Sequence, residues 1–207
     1  MTLVVQVVNT PMLPTKFIYL KHLTISIGSG PSYDYFSLFS FLDVSPSLET
    51  LILDVRRSSF RPTKMSAHSV GSILFFSSLL QVSQEHMEHE SIFRDPSCLR
   101  LMPEHRHGYL KSVKISGFSS AKSLIELTCH ILVNAVSLEC RTLDTLYGFR
   151  CSDKNITMCY PMSKSFFREA ARALVAIRTY IEDKVPPTVK LTVVEPCSQC
   201  HAKGIRW

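Results

Sequence analysis

Four stretches of this chain share one pattern: LKHLTISI (residues 20–27), LETLILDV (48–55), LKSVKISGF (110–118) and LECRTLDT (138–145). Each has the form L-x-x-Φ-x-Φ, in which Φ is an apolar residue and Arg141 is the exception. Alternating apolar residues predict a short strand with one buried face. The stretches begin 28, 62 and 28 residues apart, so the sequence indicates an internal repeat interrupted once.

Segments with helical periodicity lie between these strands, at residues 33–47, 119–137 and 163–185, and TVKLTVVEP (188–196) predicts a last strand. In the second helix we expect Ser119 or Ser120 to be the N-cap and apolar residues to form one buried stripe. In the third helix the predicted buried stripe consists of Phe167, Ala171, Leu174, Ile177 and Ile181.

Strand and helix alternating at a fixed period predict an α/β fold, a short and irregular leucine-rich-repeat βα solenoid. Its parallel strands would line a concave face, with the helices on the other face. The alternative is an ordinary α/β domain in which the strand spacing is coincidental. We expect a poorly defined N-terminal segment (1–16), a leucine-rich-repeat-like domain (17–196) and a C-terminal tail (197–207).

The 62-residue spacing contains a segment, residues 56–81, without the repeat pattern. Removing residues 55–81 would join LETLILD to VSQEHMEHE and shorten the spacing to 35 residues. Since long structureless loops are uncommon in compact domains, we interpret 56–81 as an insertion or a translated, retained intron. A genuine loop insertion or an extra helix at 69–81 is the alternative.

The composition of the chain indicates a globular protein that binds neither nucleic acid nor membranes. The chain is 45% hydrophobic and 19% charged, so it can bury a core. Its net charge is +6, but the basic residues are scattered along the chain, and no apolar run approaches the length of a membrane helix. We therefore expect neither nucleic-acid nor membrane binding. Seven cysteines without a secretory signal indicate reduced thiols in the cytoplasm or nucleus.

Motifs that would carry catalysis are missing from the sequence, so we expect no enzyme activity and no cofactor. The histidines at 86, 89, 105 and 107 lie in a polar segment that we interpret as a loop between repeats. Cys197-x-x-Cys200-His201 lacks the context of a haem or redox site. Together with Cys151 and Cys159 these cysteines could bind zinc, although a pair of reduced thiols is the simpler interpretation.

Several longer stretches carry a resemblance to a known family: FSLFSFLDVSPSLETLILDV, EHMEHESIF, LRLMPEHRHGYLKSVKISGFSSAKSLIELTCHIL, SLECRTLDT and AIRTYIEDKVPPTVKLTVVEPCSQCH. Together they resemble the C-terminal leucine-rich-repeat region of plant F-box/LRR proteins of the FBD-related type, over most of 17–201. The resemblance implies the substrate receptor of an SCF-type ubiquitin ligase. No F-box helices precede residue 17, so the resemblance does not support binding of the SCF adaptor subunit.

The predicted function is that of a non-catalytic protein-interaction module. In an L-x-x-L-x-L strand, the residues between the apolar positions face away from the core and could contact a protein partner. These candidates are Lys21, His22, Thr24, Glu49, Thr50, Ile52, Lys111, Ser112, Lys114, Glu139, Cys140 and Thr142. Two alternatives remain open: a zinc-stabilised structural module, and a truncated, non-functional fragment of an F-box/LRR protein. Arg141, at a position predicted to be buried, would either distort its strand or reach solvent or Asp144.

Overall fold

The computed structural model describes residues 2–7, 17–29, 33–57, 91–96, 99–100, 105–146 and 164–197. Within them, six strands form one sheet in which strand order follows chain order and neighbouring strands are parallel. The strands are β1 Thr2–Val7, β2 His22–Ser29, β3 Thr50–Arg57, β4 Ser112–Ser116, β5 Cys140–Asp144 and β6 Lys190–Val194. Strands β2 to β5 each begin two residues after the leucine that opens the sequence pattern, so the predicted repeat of strands is confirmed.

Helical segments lie between β2 and β3, between β4 and β5 and between β5 and β6, where parallel neighbours require a crossover from the end of one strand to the start of the next. They are the 3-10 helix η1 Tyr35–Leu38, then α1 Phe39–Asp43, α2 Lys122–Asn134 and α3 Lys164–Tyr180, and the 3-10 helix η2 Glu182–Lys184. All three predicted helical segments are confirmed. The fold class is therefore α/β, with a parallel sheet packed against helices.

The core lies between the sheet and the helices. Strands β2 to β5 direct apolar residues such as Ile25, Leu53 and Ile115 inward, and these side chains are fully buried. They pack in one cluster with apolar residues of η1, α1 and α2. Burying each such side chain contributes about 1.5–3 kcal/mol, so the strand pattern read in the sequence is also the source of the stability.

The N-terminal segment differs from the expectation. We predicted no strand or helix before residue 17. In the structure, however, Thr2–Val7 forms β1, which pairs with β2 from Thr2 opposite His22 to Val7 opposite Ile27. The segment lacks the leucine that opens the other strands, which is why the pattern missed it. Sheet pairing with β2 defines this strand.

Two details of the helices also differ from the expectation. Ala121, not Ser119 or Ser120, is the N-cap of α2, and its side chain makes no capping bond. Of the five residues predicted for the buried stripe of α3, Ile177 is buried within the helix and Ile181 directly after it. Ala171 is exposed, and Phe167 and Leu174 are only half-buried. The other buried apolar residues of the helix are Phe166, Ala170, Ala173 and Ala176.

Arg141 behaves unlike either prediction. Strand β5 stays in register around it, and its side chain is completely buried on the helix side of the sheet. Nη1 donates a 3.0 Å hydrogen bond to the carbonyl oxygen of Thr128, while Nε and Nη2 have no hydrogen-bond partner among the described residues. Burial lowers the pKa of the guanidinium to about 10, so the side chain is still charged at neutral pH. Arg141 is thus a buried, incompletely paired cation.

A second cation connects three elements on the helix side, and we call this group the Arg100 clasp. Arg100 donates from Nε and from its backbone N–H to the two carboxylate oxygens of Glu126 in α2, at 2.7 and 2.9 Å. Its Nη1 and Nη2 donate to Asp34, at 2.8 and 2.6 Å. The guanidinium carbon also lies 4.7 Å from the centre of the Phe36 ring. Only 1% of the Glu126 side chain is exposed, and Arg100 is the cation that contacts it.

Histidines form a compact group beneath the start of β4, in a segment that the sequence analysis interpreted as a polar loop. His107 is buried and donates its backbone N–H to the carbonyl oxygen of Asn134, and its ring centre lies 6.4 Å from that of His130 in α2. Nε2 of both rings is buried without a hydrogen-bond partner in the described part of the chain. Burial lowers the pKa of both imidazoles, that of His107 to about 4. Tertiary packing thus holds both rings neutral.

The segment predicted to be an insertion begins inside β3. That strand runs to Arg57, and Val55 is buried opposite Ile27 of β2. Residues 58–81 lie outside the described residues, so the insertion stays a prediction. Among the helices that the structure describes, none has the length and apolar character to cross a bilayer.

Candidate functional site

The sheet has a second face, opposite the core, and its strand residues alternate with the buried ones. We call this the open face and define it by three rows of paired residues. Strand pairing aligns Thr24, Ile52, Lys114 and Thr142 in a central row that continues to Thr192 of β6. All of these side chains are exposed or half-buried.

The first row lies where the strands begin. It consists of His22, Thr50, Ser112 and Cys140, and Lys190 of β6 extends it. Cys140 Sγ donates to Ser112 Oγ at 3.2 Å. The third row, near the strand ends, consists of Ser26, Asp54, Ser116, Asp144 and Val194, and Asp144 is the buried member. Serine and threonine together occupy seven of the fifteen positions in these rows, more than any other chemical class.

The other four predicted candidates immediately precede the strands and form a ladder along that edge. The backbone N–H of Glu49 donates to Lys21 O, that of Lys111 to Glu49 O, and that of Glu139 to Lys111 O. Lys21 Nζ and Glu49 Oε1 lie 2.8 Å apart. This hydrogen-bonded pair raises the pKa of Lys21 and lowers that of Glu49. The structure thus brings all twelve predicted residues to one continuous surface.

The predicted surface was incomplete. Lys190 and Thr192 occupy the same rows on β6 and are exposed. The sequence signal that would have found them is the alternation in TVKLTVV, which has the same apolar offset as the earlier strands but lacks the opening leucine. The open face therefore extends one strand beyond the predicted set.

Chemistry on this face favours binding. His22 and Cys140 share a row but are separated by three strand spacings, which places their backbones about 14 Å apart. A histidine at that distance cannot accept a proton from the thiol. Serine and threonine hydroxyls can donate and accept hydrogen bonds, and Lys114 adds a cation at the centre. This arrangement suits recognition of a polypeptide surface.

Zinc binding at the predicted cysteines is not tested. Cys197 is described and buried, whereas Cys151, Cys159 and Cys200 lie outside the described residues. In the ranges that the structure covers, no group of three or more histidine, cysteine or acidic side chains is placed to hold a metal ion. The zinc-stabilised alternative therefore stays a prediction.

Comparison with known proteins agrees with the fold. The chain matches the family described as "At1g61320/AtMIF1, LRR domain" in two segments, residues 1–74 and 70–198. No curated protein and no solved structure matches it. The two matched segments cover β1 through β6, so the repeat of parallel strands and the family match describe the same part of the chain. The chain therefore belongs to the At1g61320/AtMIF1 family of leucine-rich-repeat domains.

Proposed function

We propose that this protein is a non-catalytic protein-interaction module, a short leucine-rich-repeat solenoid that binds a partner on a concave open face. The observation that carries the proposal is the alignment of polar, partly exposed residues in rows across β2 to β6. A sheet whose other face is buried in the core holds these side chains in fixed positions. Such preorganisation lowers the entropic cost of binding.

The finer proposal follows from the resemblance to F-box/LRR proteins of the FBD-related type. We infer that the open face corresponds to the substrate-recognition region of an SCF-type ubiquitin ligase receptor, acting in the cytoplasm or nucleus. The residues offered to the partner are the twelve candidates, with Lys190 and Thr192 added. Neither nucleic acid nor membrane is the expected partner.

Proximity labelling in cells tests this proposal. The chain fused to a labelling enzyme is compared with a Lys114→Glu variant, which alters the central row of the open face. Arg178→Glu is the matched control, because Arg178 is exposed on α3, outside the open face. We expect a set of proteins labelled by the wild type and by the control but lost with the open-face variant.

Stability of the labelled proteins tests the ligase role separately. If the open face recruits substrates of a full-length receptor, the proteins lost with the open-face variant should accumulate when ubiquitin ligase activity is inhibited. Labelling that is identical for all three chains, each shown by circular dichroism to be folded, would contradict binding at the open face.

A further inference from the structure

A second surface lies on the helix side of the protein, on the outward face of α3. Every exposed charged residue of this helix is basic: Lys164, Arg168, Arg172 and Arg178. Its one acidic residue, Glu169, is buried, and Oε1 of Glu169 accepts a 2.7 Å hydrogen bond from the backbone N–H of Ser120. The outward face of α3 therefore carries cations without acidic neighbours on the same helix.

This charge pattern opposes helix stability. Lys164, Arg168 and Arg172 follow one another at spacings of four residues, and like charges at that spacing repel each other on a helix. Lys164 also begins the helix, where the helix dipole disfavours a cation, and the first turn has no acidic residue. An anionic partner on this surface would relieve both effects.

Beside this basic face lies an open groove of about 550 Å³, between α3 and the segment that begins at Ser91. Phe93 and Val175, which are 44% and 48% exposed, line it together with Ala171. Arg94 and Arg172 lie on the same groove. Two exposed apolar side chains and two guanidinium groups thus share one concave surface.

We propose that this groove docks an acidic segment of a protein partner, with an apolar side chain of that segment seated between Phe93 and Val175. A carboxylate beside the apolar residue would pair with Arg172, since guanidinium groups bind carboxylates in a bidentate geometry. The basic residues Lys164 and Arg168 extend the complementary charge along α3. This surface is separate from the open face, because α3 packs on the core side of the sheet.

An apolar groove distinguishes this partner from other anions. A nucleic acid backbone or a lipid headgroup would use the basic residues but offers no aliphatic side chain for the space beside Val175. An acidic peptide that contains leucine uses both features. Acidic and apolar character together therefore define the expected ligand.

Fluorescence anisotropy with the whole chain tests the proposal. The probe is a fluorescein-labelled peptide in which glutamate alternates with leucine, and the comparison probes replace leucine by serine or glutamate by lysine. Arg172→Glu removes a groove cation, and Val175→Asn removes an apolar contact. Lys114→Glu is the matched control, because it makes the same change of charge on the open face, outside the groove.

We expect saturable binding of the glutamate–leucine peptide that weakens roughly tenfold or more with Arg172→Glu, the effect of losing a well-placed contact. Val175→Asn should weaken it severalfold, whereas Lys114→Glu should leave it within about twofold. Folding of Arg172→Glu is expected, because the new carboxylate pairs with Arg168 one turn earlier, and a melting curve checks it.

Three results would overturn the proposal. The first is the absence of saturable peptide binding to the folded chain. The second is equal weakening by Arg172→Glu and Lys114→Glu, which would indicate diffuse attraction between net charges. The third is tighter binding of oligothymidine or of phosphatidylserine vesicles, lost with Arg172→Glu but not with Val175→Asn. Loss of partner labelling by the open-face variant alone leaves this test unaffected, so the two surfaces are judged independently.

Discussion

Replacing Arg100 by methionine should destabilise the fold strongly, because it leaves the carboxylate of Glu126 buried without a cation. Arg100 Nη2 and Nε both lie 2.7 Å from Glu126 Oε2, and the Glu126 side chain is 1% exposed. Breaking a buried ion pair by removing one partner costs about 3–5 kcal/mol. Because 48% of the Arg100 side chain is exposed, we expect a loss at the lower end of this range, about 3 kcal/mol.

The other contacts of Arg100 add little to this value. Asp34 is as exposed as Arg100, and exposed ion pairs contribute about 0–1 kcal/mol. The contact with the Phe36 ring contributes about 0.5–1 kcal/mol. The predicted loss therefore arises mainly from Glu126.

A double-mutant cycle measures the coupling energy between Arg100 and Glu126. The free energy of unfolding of each variant is obtained from urea unfolding at pH 7, monitored by far-ultraviolet circular dichroism. Glu126→Gln removes the buried charge, so in the Arg100→Met background it should restore at least about 1.5 kcal/mol of the free energy of unfolding. Lys21→Met breaks the exposed pair with Glu49 and should have no measurable effect. A loss below about 1 kcal/mol for Arg100→Met, or no recovery with Glu126→Gln, would refute the reasoning.

Three further predictions concern titration, buried charge and chain length. The unfolded imidazole binds a proton near pH 6.5 and buried His107 only near pH 4. The unfolded state therefore holds more protons between these values, and stability should fall by up to about 3 kcal/mol as the pH is lowered through them. Urea midpoints measure this change, and an unchanged pH dependence in His107→Gln would contradict it. Arg141→Met should raise the free energy of unfolding by about 1–3 kcal/mol, because it replaces a buried, incompletely paired cation. Lower stability in the same assay would show that the hydrogen bond to Thr128 outweighs the cost of desolvating the guanidinium group. Deleting residues 55–81 should preserve cooperative melting, because Val82 replaces buried Val55. It should also raise the melting temperature, because halving the length of the connection between β3 and β4 contributes about 0.6 kcal/mol. Non-cooperative melting would show that the segment belongs to the domain.

The sequence predicted most of the sheet because its signal is local. An opening leucine followed by alternating apolar residues identified β2 to β5, and a final alternation identified β6. The twelve candidate residues lie on the open-face side and its edge for the same reason, since alternation along a strand decides which residues face away from the core. Their role in binding stays a prediction.

Where the prediction failed, the deciding contact was distant in the sequence. Thr2–Val7 is a strand because β2 offers it a parallel partner, not because of its own pattern. In α3, Phe166, Ala170 and Ala173 are buried in place of the neighbouring residues that the pattern predicted, because contacts with the rest of the core decide the orientation of the helix. Neither effect can be read from a single segment.

The sequence by itself determined the repeat, the strand positions and the alternation that separates the core from the open face, because these depend on residues a few positions apart. Only the tertiary structure decided that Arg141 is buried with one hydrogen bond, that Arg100 neutralises Glu126 and that His107 meets His130. It also decided that Phe93 and Val175 share a groove beside the basic face of α3. Each of these features depends on packing between segments far apart in the chain. Burial there raises the free-energy cost of a charged side chain and decides which other residues it contacts.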